Sequence, residues 1–202
     1  MKATELSIPG AWEFAPRQFP DSRGNFLVWY DADVFAESLG FELSVAQTNH
    51  SVSRRGVVRG VHWADVPVGQ AKYVYCPRGA LLDVVVDLRV GSPTFGRHEI
   101  VRLDNVEHRA LYLSEGLGHA FVSLEDASSV TYLVSTGYSP GREFGVDPMD
   151  PDLALPWPAD LEFEFSAKDR AAPSLAEARD QGLLPTMEQC TARYAELRAR
   201  TP

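Results

Sequence analysis

The chain has 202 residues, 45% hydrophobic and 23% charged, a composition suited to one folded domain with a sizeable core. Its formal net charge of −9 argues against non-specific binding to nucleic acid or an anionic membrane, because a phosphate surface would be repelled overall. No run approaches the roughly 20 apolar residues that span a bilayer, and residues 1–6 lead into no apolar signal core, so a cytoplasmic setting is expected.

In chain order, residues 31–39 read as a short helix ended by Gly40. Gln47, Asn49, Ser51 and Ser53 follow with period 2, so on a strand they share one face. That face lines either a polar barrel interior or a solvent-facing edge. Residues 71–76 form a short apolar strand before the turn signal Pro77-Arg78-Gly79. Residues 81–88, with Val84, Val85 and Val86, read as a buried strand ended by Gly91-Ser92-Pro93. Further strands are predicted over 99–103, 109–113, 120–124 and 129–135, a spacing typical of sandwiches and barrels. The stretch 145–157 is rich in Asp and Pro and reads as an ordered loop. Ser174 with Glu177 and Thr186 with Gln189 have the capping-box spacing, which predicts a helical tail over about 174–202. With no repeat or linker, the chain reads as a single domain, 1–202: a mainly β, antiparallel barrel with short C-terminal helices.

Few residues carry chemistry on their own. Cys76 and Cys190 fit neither a disulfide framework nor a metal spacing and read as reduced thiols. Of the five histidines, His62 stands out because it follows Arg59-Gly60-Val61, where the glycine allows close backbone approach and an arginine is at hand. Arg54, Arg55 and Arg59 form the densest basic cluster. Guanidinium groups suit a phosphate or diphosphate, although Arg54 and Arg55 by themselves read as a solvated patch. The close His pair of many metal-binding barrels is absent, as are a dinucleotide fingerprint and a Walker loop, so no metal or cofactor is expected. Tyr132, on residues alone, reads as a core aromatic.

Ten elements then occur in order: Asp21-Ser22-Arg23-Gly24, Gln47-x-Asn49-x-Ser51, Arg59-Gly60-Val61-His62, Lys72, Asp83-Val84-Val85-Val86-Asp87-Leu88-Arg89, Gly91-Ser92-Pro93-Thr94, Gly118-His119-Ala120-Phe121, Tyr138-Ser139-Pro140, Asp150-Pro151 and Ser166-Ala167-Lys168-Asp169. In this the chain resembles the dTDP-4-dehydrorhamnose 3,5-epimerase family, from near its start to about residue 185. The resemblance implies a cupin-type (jelly-roll) β-barrel without metal, and a homodimer with exchanged N-terminal strands. It implies His62 as general base, Asp169 as the carboxylate that orients it, Tyr132 as acid on the opposite sugar face and Lys72 near the C4 oxygen. Arg23, Gln47, Asn49, Ser51, Arg59 and His119 match positions lining the substrate site. Phe26 and Tyr138 are candidates for stacking on thymine.

The implied substrate is a dTDP-linked 4-keto-6-deoxy sugar, epimerised through an enolate at C3 and C5. Val28 and Ala120 replace the Glu and Gly of many members at positions expected to border the pocket, and no aromatic stands near Pro148. These departures resemble members from antibiotic deoxysugar pathways, some of which invert one centre only. A mono-epimerase is therefore the alternative in the same class. A metal-dependent cupin enzyme would need clustered ligands, which this sequence does not offer. A non-catalytic sugar-nucleotide binding cupin would not need His62, Tyr132 and Asp169 together.

Overall fold

The computed structural model describes residues 1–200; residues 201 and 202 of the predicted tail lie outside the described residues. The strands are β1 (Lys2–Glu5), β2 (Ala11–Ala15), β3 (Gln18–Asp21), β4 (Gly24–Leu27), β5 (Gln47–Ser53), β6 (Val58–Ala64), β7 (Lys72–Arg78), β8 (Ala80–Asp87), β9 (His98–Asp104), β10 (Ala110–Leu113), β11 (Leu117–Ser123), β12 (Ser128–Val134) and β13 (Glu143–Gly145). The helices are α1 (Ala32–Leu39), α2 (Ala167–Arg170), α3 (Leu175–Asp180) and α4 (Met187–Arg200). The predicted strands from residue 71 onward all form, with ends displaced by a few residues.

Two antiparallel sheets face each other. One has six strands in the order β1-β2-β10-β7-β12-β5, the other five in the order β13-β6-β11-β8-β9. The barrel is open, because among the described residues no backbone ladder joins one sheet to the other. β3 and β4 form a separate hairpin.

Alternation explains the layers. On β8, Leu81 and Val85 point between the sheets and join Val74, Leu111 and Val130 from the facing sheet. Val84 and Val86 point outward and pack with Val61, Trp63 and Ala120 against the covering segment that holds Val146, Leu153, Leu175 and Leu184. Both faces of this strand are therefore buried, which is why its sequence is an almost continuous apolar run. The outer face of the six-stranded sheet carries Phe14, Tyr73 and Tyr112 under Phe35 and Leu39 of α1.

The helix ends follow local chemistry. Asp31 caps α1 by accepting from Asp33 N and Val34 N, and Gly40 ends it at φ +79°. Ser174 and Glu177 form the predicted capping box of α3. Thr186 and Gln189 exchange the equivalent bonds before α4. Among the described residues no helix is long and apolar enough to cross a membrane. Cys76 and Cys190 are buried free thiols.

Candidate active site

The polar face of β5 resolves to the interior. Gln47, Asn49 and Ser51 are half-buried and Ser53 buried, whereas Thr48, His50 and Val52 are exposed. β12 pairs with β5 so that Tyr132 lies opposite Asn49 and Val134 opposite Gln47. β7 flanks β12 on its other side, with Lys72 opposite Val134 and Val74 opposite Tyr132. Lys72, Tyr132, Gln47 and Asn49 thus line one wall.

The facing wall comes from β6, β8 and β11. Gly60 makes it possible. Its φ is +118°, and a Cβ there would come within 2.4 Å of the His119 carbonyl oxygen and 2.6 Å of Ala120 Cα. Only glycine lets β6 press this closely on β11, where His62 pairs opposite His119. His119 Nε2 meets both oxygens of buried Asp83, at 2.9 and 3.0 Å. Asp83, a charge inside an apolar run, is a site-lining residue whose place in that run is its only sequence signal.

His62 Nε2 stands 2.6 Å from Asp169 Oδ1. Asp169 is held from beneath by Ser166, the N-cap of α2: the Ser166 hydroxyl donates to Asp169 Oδ2 at 2.8 Å and accepts from Asp169 N at 3.1 Å. Burial would raise the Asp169 carboxyl, but hydrogen bonds from His62 and Ser166 outweigh it and the net shift is downward. Burial also pulls the His62 imidazole below its usual range, against the opposing pull of Asp169. The ring is therefore a neutral base near pH 7, and with Nε2–H donated to Asp169 its lone pair sits on Nδ1.

Burial brings Lys72 down to about 8, with Glu143 and Asp83 pulling it back up and Lys168 pushing it further down. Its charge is felt at His62. Burial and Glu143 raise the Tyr132 phenol, so it holds its proton at neutral pH. Arg59 bonds Ser53 Oγ at 3.2 Å, and its charge reaches Tyr132. It has no carboxylate partner among the described residues. It lines a cavity of about 320 Å³ that also touches Ser53, Ser166 and Asp169. Arg54 and Arg55 instead pair with Glu164 and Asp160 on the exposed surface.

Three expectations look different in three dimensions. Arg23 and Phe26 sit on the β3–β4 hairpin, with Arg23 paired to Asp21 and Phe26 67% exposed against Phe19. Among the described residues neither forms a hydrogen bond, ion pair or ring contact with another site candidate. Val28, just beyond the hairpin, is likewise exposed. Ala120 does not border the interior: it alternates with His119 and Phe121 and packs in the outer layer. Tyr138 is 63% exposed and reaches the site only through its backbone N–H, 3.3 Å from Gln47 Oε1.

A two-sheet cupin-type sandwich whose interior opposes an imidazole–carboxylate pair to a phenol and an ammonium defines a class of acid–base enzyme. The sequence model of the dTDP-4-dehydrorhamnose 3,5-epimerase family matches residues 5–177. A dTDP-4-dehydrorhamnose 3-epimerase of Streptomyces niveus is 56% identical over 95% of this chain and 92% of its own. The rmlC epimerase of Mycobacterium tuberculosis superposes with a TM-score of 0.96 at 48% identity, covering 98% of this chain and 100% of that one. ChmJ, a 3'-monoepimerase from Streptomyces bikiniensis solved with dTDP-quinovose, gives 0.95 at 48% identity, covering 96% and 98%. The chain belongs to the dTDP-4-dehydrorhamnose 3,5-epimerase family and is an epimerase of the isomerase class.

Proposed function

We propose that the protein epimerises a dTDP-linked 4-keto-6-deoxyhexose, inverting carbons beside the ketone. The observation that carries this is the placement of His62 and Tyr132 on facing sheets, looking into the same interior from opposite walls. His62 Nδ1 removes the proton from C3 or C5. The C–H electron pair becomes the enolate double bond, and the charge moves to the C4 oxygen. Lys72 faces that oxygen as a preorganised ammonium, an effect commonly worth a few kcal/mol. Tyr132 then delivers its proton to the other face of the carbon, and the C–H bond reforms inverted. Exchange of protons with solvent resets His62 and Tyr132. Asp169 keeps Nε2 as the donor and stabilises the imidazolium.

Arg59 is the guanidinium available for the diphosphate, with Gln47, Asn49, Ser51 and His119 lining the sugar. Binding of the dTDP half, remote from the reacting carbons, orients the ring. Phe26 and Tyr138 are the aromatic groups offered to thymine, and Arg23 stands on the same hairpin as Phe26. These two hairpin residues act, in this reading, in the site of a second copy: a homodimer supplies them across the unpaired edge of β5. The whole chain, 1–202, works as one domain with a helical tail over about 174–202. A cytoplasmic setting fits a nucleotide-sugar substrate and the two free thiols.

Double inversion, at C3 and C5, is the principal reading. Inversion at a single centre is the second, favoured by the similarity to a 3-epimerase of Streptomyces niveus and a 3'-monoepimerase of Streptomyces bikiniensis. Incubation with dTDP-4-keto-6-deoxyglucose in D₂O, followed by NMR and mass spectrometry, separates them. Deuterium at both carbons supports the first and deuterium at one supports the second. Exchange at neither, or turnover that survives His62→Asn, overturns the catalytic assignment.

A further inference from the structure

The outer face of the six-stranded sheet carries a second polar cavity, on the far side of that sheet from the epimerase site. Tyr112 of β10 packs there with Phe35, Phe41 and Ala71, and α4 lies against this cluster through Leu197. Just past β10, Glu115 is fully buried. Arg193 of α4 reaches Glu115 Oε1 at 3.5 Å, and the Tyr194 hydroxyl donates to the Glu115 carbonyl. Gly69 makes room for this carboxylate: its φ is +79°, and a Cβ there would come within 2.6 Å of Glu115 Cβ and 2.7 Å of its Cγ. Two side-chain atoms at this place are closed to bulk solvent and have no partner among the described residues, Tyr112 Oη and Glu115 Oε2. A buried polar atom left unpaired is costly, so a bound molecule that pairs both is favoured.

Tyr112 and Glu115 line one cavity of about 410 Å³, with apolar walls from Phe41, Val68 and Leu197. Its charged lining groups are Glu42, Glu115, Arg193 and Arg200, two of each sign. Arg193 is committed to Glu115 and Glu196, whereas Arg200 makes no hydrogen bond or ion pair among the described residues. Burial pushes the Tyr112 phenol well above its usual range, so its hydroxyl is a donor. Burial also raises the Glu115 carboxyl, and a cationic donor at Oε2 opposes that rise. A simple anion would meet Glu115 and leave its oxygen unpaired. A simple cation would meet Arg200. A molecule carrying both signs pairs with each. We propose that this cavity binds a free α-amino acid with an apolar side chain. Its ammonium meets Glu115 Oε2, its carboxylate takes the Tyr112 hydroxyl and Arg200, and its side chain lies against Phe41, Val68 and Leu197. Lys72 and Tyr132 look into the interior instead, so this site stands apart from the epimerase reading.

Titration calorimetry of the full-length protein with L-leucine tests this, beside leucinamide, which keeps only the ammonium, and isocaproate, which keeps only the carboxylate. Leucine is expected to bind at least about tenfold more tightly than either, because each analogue loses one charge-assisted pair. Tyr112→Phe deletes a hydroxyl that has no partner in the free chain. Its urea midpoint without leucine should equal or exceed that of the wild type, while its affinity for leucine falls several-fold. Arg200→Ala, at the exposed end of α4, should fold as the wild type does and weaken leucine at least about tenfold. Absence of binding by all three compounds means that ordered water alone occupies the cavity and overturns the inference. Analogues that bind as tightly as leucine overturn it as well, as does a leucine affinity unchanged in both variants. A Tyr112→Phe protein less stable than the wild type without leucine shows the hydroxyl to be paired within the free chain, and this too overturns it.

Discussion

Asp169 Oδ1 lies 2.6 Å from His62 Nε2, so the nitrogen left to take a proton is Nδ1. Asp169→Asn removes the charge that stabilises the imidazolium and the acceptor that fixes the tautomer. The wash-in rate is expected to fall within the roughly 10²–10⁴-fold range of acid–base contributions. Stopped-time mass spectrometry of the recovered sugar reads this directly. A rate within twofold of wild type contradicts the assignment of Nδ1 as the base.

The pH profile should be a bell. His62 lies below its ordinary value near 6.5 because of burial, so its base form is lost only as pH falls below that value. Lys72 lies at about 8, and its charge is lost as pH rises through that value. The kcat/KM profile therefore has an acid limb below pH 6.5 and an alkaline limb near pH 8. A profile still rising at pH 9 argues against Lys72 as the charge facing the enolate.

Tyr132→Phe separates proton removal from inversion. His62 can still deprotonate the carbon and return a solvent-derived deuteron to the same face. Deuterium enters the recovered substrate without a change of configuration, and the epimer forms at least about tenfold more slowly. NMR coupling constants of the labelled sugar distinguish the two outcomes. Normal inversion by the variant places the acid elsewhere.

Arg23 and Phe26 act in trans if the dimer reading holds. Sedimentation should give a mass of two chains. An equimolar, co-refolded mixture of His62→Asn and Arg23→Ala should then recover activity, because mixed dimers contain one site with both native residues. A monomeric sedimentation mass, or a mixture no more active than the sum of its parts, removes the partner from the site.

Away from the site, Asp87 and Arg89 are fully buried together, with N···O contacts of 2.8 Å from both Nε and an Nη of Arg89, and Ser92 and Thr94 donate to the same carboxylate. Asp87→Ala leaves a buried guanidinium unpaired and should cost about 3–5 kcal/mol in urea unfolding. Burial alone would raise Asp87, but its hydrogen bonds and Arg89 bring the net value below the unfolded one. The contribution is therefore complete above the unfolded carboxylate range near pH 4 and is lost as pH falls through the lower folded value. Equal stability losses for this variant at pH 7 and pH 2 would contradict the linkage.

How far the sequence reaches can be judged from particular residues. The run through Val84 to Val86, the helix end at Gly40 and the Ser174–Glu177 box are local signals, set by alternation and by backbone groups within a few residues, and each forms where it was predicted. The period-2 polar face of β5 was legible as a face, but not as an inner one. Which side is wet depends on the sheet opposite, and only the pairing of Tyr132 with Asn49 decides it. β1 to β4 and β13 left little trace, being short, largely exposed or only partly buried.

The sequence by itself determined the family, the mainly β architecture and His62, Lys72, Tyr132 and Asp169 as the residues to examine, because motif order and local periodicity survive without coordinates. Tertiary structure decided the rest. It put His62 and Tyr132 on opposing walls, 70 positions apart in the numbering. It turned Ala120 outward, joined Asp83 to His119, set Arg23 and Phe26 on a separate hairpin, and paired Gly145 of β13 opposite His62. Contacts between strands distant in sequence follow from sheet register and from which face is buried, and no window of neighbouring residues encodes them.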